Sequence, residues 1–76
     1  MTQRQAHLFA RLQRLGFTAG TQMTLYGEVF DFLGEPIVVT DDVVFVDAKE
    51  TRSGQTRRVR VPLPIIHMAS GNSTAA

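Results

Sequence analysis

The sequence contains no cysteine and no long apolar run, and both absences narrow the class of protein to which it can belong. Without cysteine the chain forms no disulfides and no thiolate metal sites. No apolar segment approaches the ~20 residues that a transmembrane helix needs, and no charged leader followed by an apolar stretch opens the chain. We therefore expect a soluble protein of the cytoplasm that does not enter a membrane.

An excess of one charge is also missing, because eight basic residues nearly balance seven acidic ones and leave a net charge of +1. An anionic partner must then be recognised where basic residues cluster, and not through overall basicity. The 76 residues suffice for one domain. Such a short chain buries only about 60% of its unfolded surface, so we expect oligomerisation to add stability.

The residue patterns of common catalytic and metal sites are absent as well. Nucleophilic catalysis needs an activated Ser, Thr or Cys beside a base, and the sequence has no Gly-x-Ser-x-Gly motif and only two distant histidines, His7 and His67. The acidic pair Asp41-Asp42 lacks the spacing of an EF-hand calcium loop and fits a turn better. We therefore expect a protein that is not an enzyme and that uses no cofactor and no metal.

The first segment with a clear period predicts a helix over residues 2–15. Leucines recur at spacings of four and three between Leu8 and Leu15, and neither Pro nor Gly interrupts them. Thr2 is expected to cap the N terminus of this helix, and Gly16 is expected to end it.

Five runs that favour extended backbone follow, and we predict one strand for each: 23–30, 36–40, 43–48, 55–61 and 65–68. Gly27 is expected to mark a bend within the first strand, and Asp41-Asp42 a turn between the second and third. These elements predict a small curled sheet with a helix at its start, forming a single domain over residues 1–68. The small and polar residues 69–76 are expected to form a flexible tail.

Charge is concentrated in one place, where four arginines fall within nine residues: Arg52, Arg57, Arg58 and Arg60. Arginine makes bidentate contacts with phosphate and stacks on bases, so the cluster favours a nucleic-acid surface. The alternative is that these arginines pair with acidic residues of neighbouring strands or of another subunit. The acidic residues available for such pairs are Asp41, Asp42, Asp47 and Glu50. Among the nearby aromatic residues, Tyr26 is the best candidate for stacking on a base, whereas Phe30 and Phe32 fit the core.

The order of these elements resembles the Sm-like family, which includes the Sm and LSm proteins and bacterial Hfq. Residues 23–25, Gly34 and 45–48 resemble the first motif of that family, and residues 59–60 with 65–66 resemble the second. The resemblance covers nearly the whole chain, from Thr2 to about Met68. It implies a mainly β fold, in which an N-terminal α-helix precedes a small, strongly bent five-stranded antiparallel barrel.

Membership in the family would imply a closed homo-oligomeric ring of about five to seven subunits, with strand four of one subunit paired to strand five of the next. Such rings bind single-stranded RNA in loops that line the pore, and act as RNA chaperones or RNA-processing scaffolds without catalysis. Carried over by position, one loop contains Asp42 and the other contains Arg60. The predicted RNA-binding residues are Arg57, Arg58, Arg60, Arg52, Asp42 and Tyr26. The alternatives are an assembly protein that binds no RNA and a small-barrel adaptor that binds other proteins.

Overall fold

The structure, a computed structural model, describes residues 2–71. Its elements in chain order are α1 (Gln3–Arg14), β1 (Gln22–Leu25), β2 (Glu28–Phe32), β3 (Ile37–Val38), β4 (Val44–Glu50), β5 (Thr56–Arg60) and α2 (Leu63–Ser70). The expected N-terminal helix and five-stranded antiparallel sheet are present. The sheet is not closed into a barrel, and the second helix makes the fold mixed α and β where a mainly β fold was expected. Residues 72–76, most of the predicted tail, lie outside the described residues.

Helix α1 begins and ends where its capping signals predict. The hydroxyl of Thr2 accepts a hydrogen bond from the backbone N–H of Gln5 at 3.1 Å, and the side chain of Gln5 accepts one from the N–H of Thr2 at 3.2 Å. At the other end, Phe17 donates its N–H to the carbonyl of Leu12, while Gly16 has a φ of 110°, in the region that favours glycine. The predictions for Thr2 and Gly16 are confirmed.

The segment predicted as one strand over residues 23–30 forms a hairpin, so that prediction is wrong. Strands β1 and β2 pair antiparallel with Leu25 opposite Glu28, and only Tyr26 and Gly27 connect them. Both connecting residues have positive φ, 55° and 75°, as a type I′ turn requires. Gly27 therefore belongs to a tight turn and not to a bend within a strand.

Strand β4 is the centre of the sheet. One of its edges pairs with β5, while the other pairs with β2 along its second half and with β3 along its first half. The predicted turn at Asp41-Asp42 joins β3 to β4, and the N–H groups of Val39 and Thr40 donate to the carbonyl of Val43 across it. The strands predicted over residues 36–40 and 43–48 are thus present as β3 and β4, although β3 is shorter than predicted.

Between β2 and β3 the chain leaves the sheet at residues 34–36, and Glu35 there contacts the end of α1 and the segment after it. Its carboxylate accepts hydrogen bonds from the N–H of Ala19 at 2.9 Å and from the side chains of Thr18 and Gln13, both at 2.7 Å. These bonds, that of Ala19 first, hold the pKa of Glu35 below its ordinary value of 4.5. Glu35 thereby ties the sheet to the helix.

The predicted fifth strand over residues 65–68 lies within α2, so this prediction is also wrong. Pro62 precedes the helix and Pro64 lies in its first turn, where a residue without an N–H costs no helical hydrogen bond. The helix continues to Ser70, beyond the predicted start of the tail. A run of four residues, three of them apolar, is too short to distinguish a helical from an extended segment. Neither helix within residues 2–71 has the length and apolar composition needed to cross a bilayer.

The core lies between the inner face of the sheet and the two helices. Its largest fully buried side chains are Phe17, Phe30, Phe32, Leu8, Leu12, Ile66, Val44, Val46 and Val61. The rings of Phe17 and Phe32 stack with their centroids 5.4 Å apart. Each buried side chain of this size stabilises the fold by roughly 1.5–3 kcal/mol relative to its exposed state. The assignment of Phe30 and Phe32 to the core is confirmed, and Tyr26 is 64% exposed.

Candidate binding surface

Residues 44–60, named here the basic hairpin, comprise β4, β5 and the loop between them, and carry most of the positive charge. This hairpin has five basic residues against two acidic ones, a net charge of +3. The rest of the chain has three basic residues against five acidic ones, a net charge of −2. The near-neutral chain therefore separates its charges, and the basic hairpin is the surface on which an anion would bind.

Strand β5 distributes its arginines over both faces of the sheet. Val59 is buried, and Arg57 lies on the same inner side because strand residues two apart share a face. Arg58 and Arg60 lie on the outer side. This alternation agrees with the burial pattern of β5 and with its register against β4.

Two of the four arginines have acidic partners within the chain. Arg58 lies opposite Asp47 and donates from Nε to Oδ1 at 3.0 Å; this hydrogen bond and the attraction between the charges raise the pKa of Arg58 above its ordinary value. Arg57 places Nη2 at 3.3 Å from Oε2 of Glu50 and its guanidinium carbon at 5.3 Å from the centroid of the Phe30 ring. These contacts are the cross-strand pairs that the sequence offered as the alternative to nucleic-acid binding.

Arg52 and Arg60 differ from Arg57 and Arg58 in their side-chain contacts. Within residues 2–71, neither side chain has an ion pair or a hydrogen bond. Arg52 lies in the exposed loop between β4 and β5, and Arg60 is the exposed last residue of β5. Their guanidinium donors are therefore available to a bound anion.

Two aromatic side chains lie beside Arg60. Phe45 is directly opposite Arg60 and partly exposed on the outer face. Val61 donates to the carbonyl of Val44, so the neighbouring Phe45–Arg60 pair is of the non-hydrogen-bonded type, in which side chains are closest. The hydroxyl of Tyr26 donates to the backbone carbonyl of Arg60 at 2.7 Å. The sequence interpretation included Tyr26 but missed Phe45, which only the register of β4 against β5 would have indicated.

Asp42, predicted to lie in an RNA-binding loop, contacts a helix. Its Oδ1 atom is 3.8 Å from Nε2 of His67 in α2, and Oδ2 of Asp41 is 3.6 Å from Nε of Arg4 in α1. The structure therefore brings Tyr26 to Arg60 of β5, whereas Asp42 contacts α2.

An open groove of 590 Å³ lies between the start of α1 and the turn from β3 to β4. Its lining residues are Thr2, Arg4, Gln5, Val39, Thr40, Asp41 and Asp42. The groove carries both charges, because the Arg4–Asp41 pair lies in its wall. The groove therefore offers less for binding an anion than the basic hairpin does.

Among residues 2–71, no three His, Cys, Asp or Glu side chains are grouped closely enough to hold a metal ion.

Comparison of the chain with family models, with curated proteins and with solved structures finds no match. The Sm-like resemblance thus stays a hypothesis drawn from short motifs, one of which, residues 65–66, lies in a helix where the family has a strand. What the chain binds must be argued from its own charges and contacts.

Proposed function

We propose that the chain is a non-catalytic protein that binds single-stranded RNA on the outer face of the basic hairpin. The observation that carries this proposal is that two exposed arginines, Arg52 and Arg60, have no acidic partner among residues 2–71 and lie in a hairpin of net charge +3. A guanidinium group without an intramolecular partner can bind phosphate without first losing an ion pair. Phosphate contact therefore falls on these two residues more than on Arg57 and Arg58.

Aromatic residues beside Arg60 add a surface for bases. Phe45 is partly exposed opposite Arg60, and the exposed ring of Tyr26 is held there by its hydroxyl bond to the Arg60 carbonyl. Stacking of a base on an aromatic ring contributes about 1–3 kcal/mol and tolerates any base. An RNA strand along β5 can thus combine phosphate contact with stacking. The choice of RNA over DNA rests on the Sm-like resemblance.

The proposal does not require a closed ring. In the Sm-like family the fourth strand of one subunit pairs with the fifth strand of the next. The residues predicted to form that last strand here, 65–68, lie in α2 instead. Self-association stays a separate prediction. Light scattering at micromolar concentration measures it directly, since a single chain has a mass of 8.4 kDa.

The test measures fluorescence anisotropy of labelled oligo-U and oligo-A RNA, with oligo-dT for comparison, over a range of salt concentrations. The variant is Arg52→Ala/Arg60→Ala, and the matched control is Arg11→Ala/Arg14→Ala, which removes the same charge from exposed residues of α1. We expect the first variant to lose about tenfold in affinity, because each guanidinium–phosphate contact is a charge-assisted hydrogen bond. Its salt dependence should also weaken, by roughly 0.7 in log–log slope for each phosphate that the variant no longer neutralises.

The control should stay within about twofold of the wild type, since its charges lie outside the proposed surface. Equal losses in both variants would mean that the chain attracts RNA only through net charge. Absence of binding at low salt would refute the proposal outright, and tighter binding of oligo-dT would replace RNA with DNA as the ligand.

A further inference from the structure

Within residues 2–71, no strand pairs with the outer edge of β5. Val61 donates to β4, and Gln55 accepts from β4, so odd-numbered residues of this segment direct their backbone groups toward β4. The N–H and C=O groups of Thr56, Arg58 and Arg60, named here the free edge, therefore point away from the sheet. Among residues 2–71, only one of these six groups has a partner, the carbonyl of Arg60.

Arginines flank the free edge on both faces. Arg58 and Arg60 lie on the outer face, and Arg57 lies on the inner face with 54% of its side chain exposed. The strand itself contains no acidic residue. A strand pairing here would therefore meet guanidinium groups on either side of its backbone.

We propose that an extended acidic peptide of a partner protein binds the free edge as an added antiparallel strand. The N–H and C=O of Arg58 both point outward, so one residue of the peptide can exchange two hydrogen bonds with it, as antiparallel pairing requires. The five residues of β5 match an extended peptide of about 17 Å. Carboxylates on one side of the peptide face Arg58 and Arg60, and those on the other side face Arg57.

Charge and backbone chemistry favour an acidic peptide over a second copy of the chain and over RNA as the occupant of the free edge. A second copy of β5 would oppose arginine to arginine, and the outer edge of β1, with Gln22 and Thr24, offers no carboxylate. RNA complements the arginines, but it does not match the alternating backbone donors and acceptors of a strand edge. Because peptide and RNA would share Arg60, we expect the two ligands to compete.

The probe is a blocked peptide of alternating Glu and Thr. Two comparison peptides isolate its features: one has Gln in place of Glu, and the other has N-methyl groups on the amides that would face β5. Affinity is measured by anisotropy, and amide hydrogen exchange by NMR. We expect slower exchange at Thr56, Arg58 and Arg60, about tenfold weaker binding of the Gln peptide, and a similar loss for the methylated peptide.

A proline variant tests the free edge from the side of the protein. Thr56→Pro removes one outward N–H without removing a bond to β4, and Thr56→Val is the matched control. We expect about a tenfold loss of peptide affinity in the proline variant alone, with RNA affinity unchanged in both. Because RNA binding is read separately, the outcome for the peptide does not depend on the RNA proposal.

Three outcomes would overturn the peptide proposal. Equal binding of the methylated and unmodified peptides would reduce the interaction to attraction between charges. Protection of the free edge that rises with protein concentration in the absence of peptide would identify a second copy as its occupant. Binding of RNA but not of the acidic peptide would leave the basic hairpin with a nucleic-acid ligand only. The measurements on wild-type protein keep the proposal testable if Thr56→Pro does not fold.

Discussion

The acidic turn, residues 40–43, and the basic hairpin are the two charged regions of the sheet, and they arrange their charges differently. Both carboxylates of the acidic turn lie near a nitrogen of a helix side chain, Asp41 near Arg4 at 3.6 Å and Asp42 near His67 at 3.8 Å. The basic hairpin has more cations than carboxylates, and Arg52 and Arg60 have no acidic partner in the part of the chain that the structure describes. Exposed ion pairs of this kind contribute little to stability. The difference therefore bears on binding more than on folding.

The largest expected effect on the free energy of unfolding comes from removing a core side chain that lies beneath the basic hairpin. Phe30 is fully buried and its ring lies under the guanidinium of Arg57. Phe30→Ala should lower the free energy of unfolding by about 3–5 kcal/mol, because it leaves a cavity in the core. Urea denaturation measures the change. In the acidic turn, Asp42→Ala should stay within about 0.5 kcal/mol, and a loss as large as that of Phe30→Ala would remove the contrast between the regions.

A smaller effect is expected where the tip of the first hairpin contacts the basic hairpin. Tyr26→Phe removes the hydroxyl that donates to the Arg60 carbonyl and keeps the aromatic ring. It should lower the free energy of unfolding by about 0.5–1 kcal/mol and RNA affinity by only about twofold, because the ring remains but the bond that holds it beside Arg60 is lost. Thermal unfolding and anisotropy are the two measurements. A loss of RNA affinity of tenfold or more would mean that the hydroxyl itself, and not only the ring of Tyr26, takes part in binding.

The smallest effect is expected at Glu35, whose carboxylate accepts hydrogen bonds from three neutral donors, unlike that of Asp41, which lies near the guanidinium of Arg4. Its pKa is lower in the folded protein than 4.5, so the unfolded chain binds the proton more readily. The stability that Glu35 contributes is present above pH 4.5 and is lost as the pH falls toward the lower, folded pKa. Urea midpoints of Glu35→Gln should therefore fall less than those of the wild type on acidification. Parallel curves for the two proteins would contradict this origin of the pH dependence.

Local signals explain which elements could be predicted. The caps of α1 and the turn at Asp41-Asp42 depend on residues within a few positions of one another, and the structure agrees with both. The hairpin at Tyr26-Gly27 was missed because Tyr is not a usual residue at a position with positive φ. The helix at residues 63–70 was missed because a short apolar run after two prolines fits either an extended or a helical backbone.

The candidate binding surface could be predicted only in part. The four arginines are evident from their spacing, and the alternation of a strand separates Arg57 from its two neighbours on β5. Phe45 could not be assigned to this surface without the register of β4 against β5. The contact of Asp42 with His67 likewise depends on the position of α2, which the sequence interpretation had made a strand.

The sequence by itself determined the start and end of the first helix, the acidic turn and the presence of an arginine-rich strand, because each depends on neighbours along the chain. Only the tertiary structure decided which arginines are neutralised. Asp47 comes into contact with Arg58, and Glu50 with Arg57, through the pairing of β4 with β5. Among the residues that the structure describes, that pairing leaves Arg52 and Arg60 without an acidic partner and one edge of β5 without a paired strand.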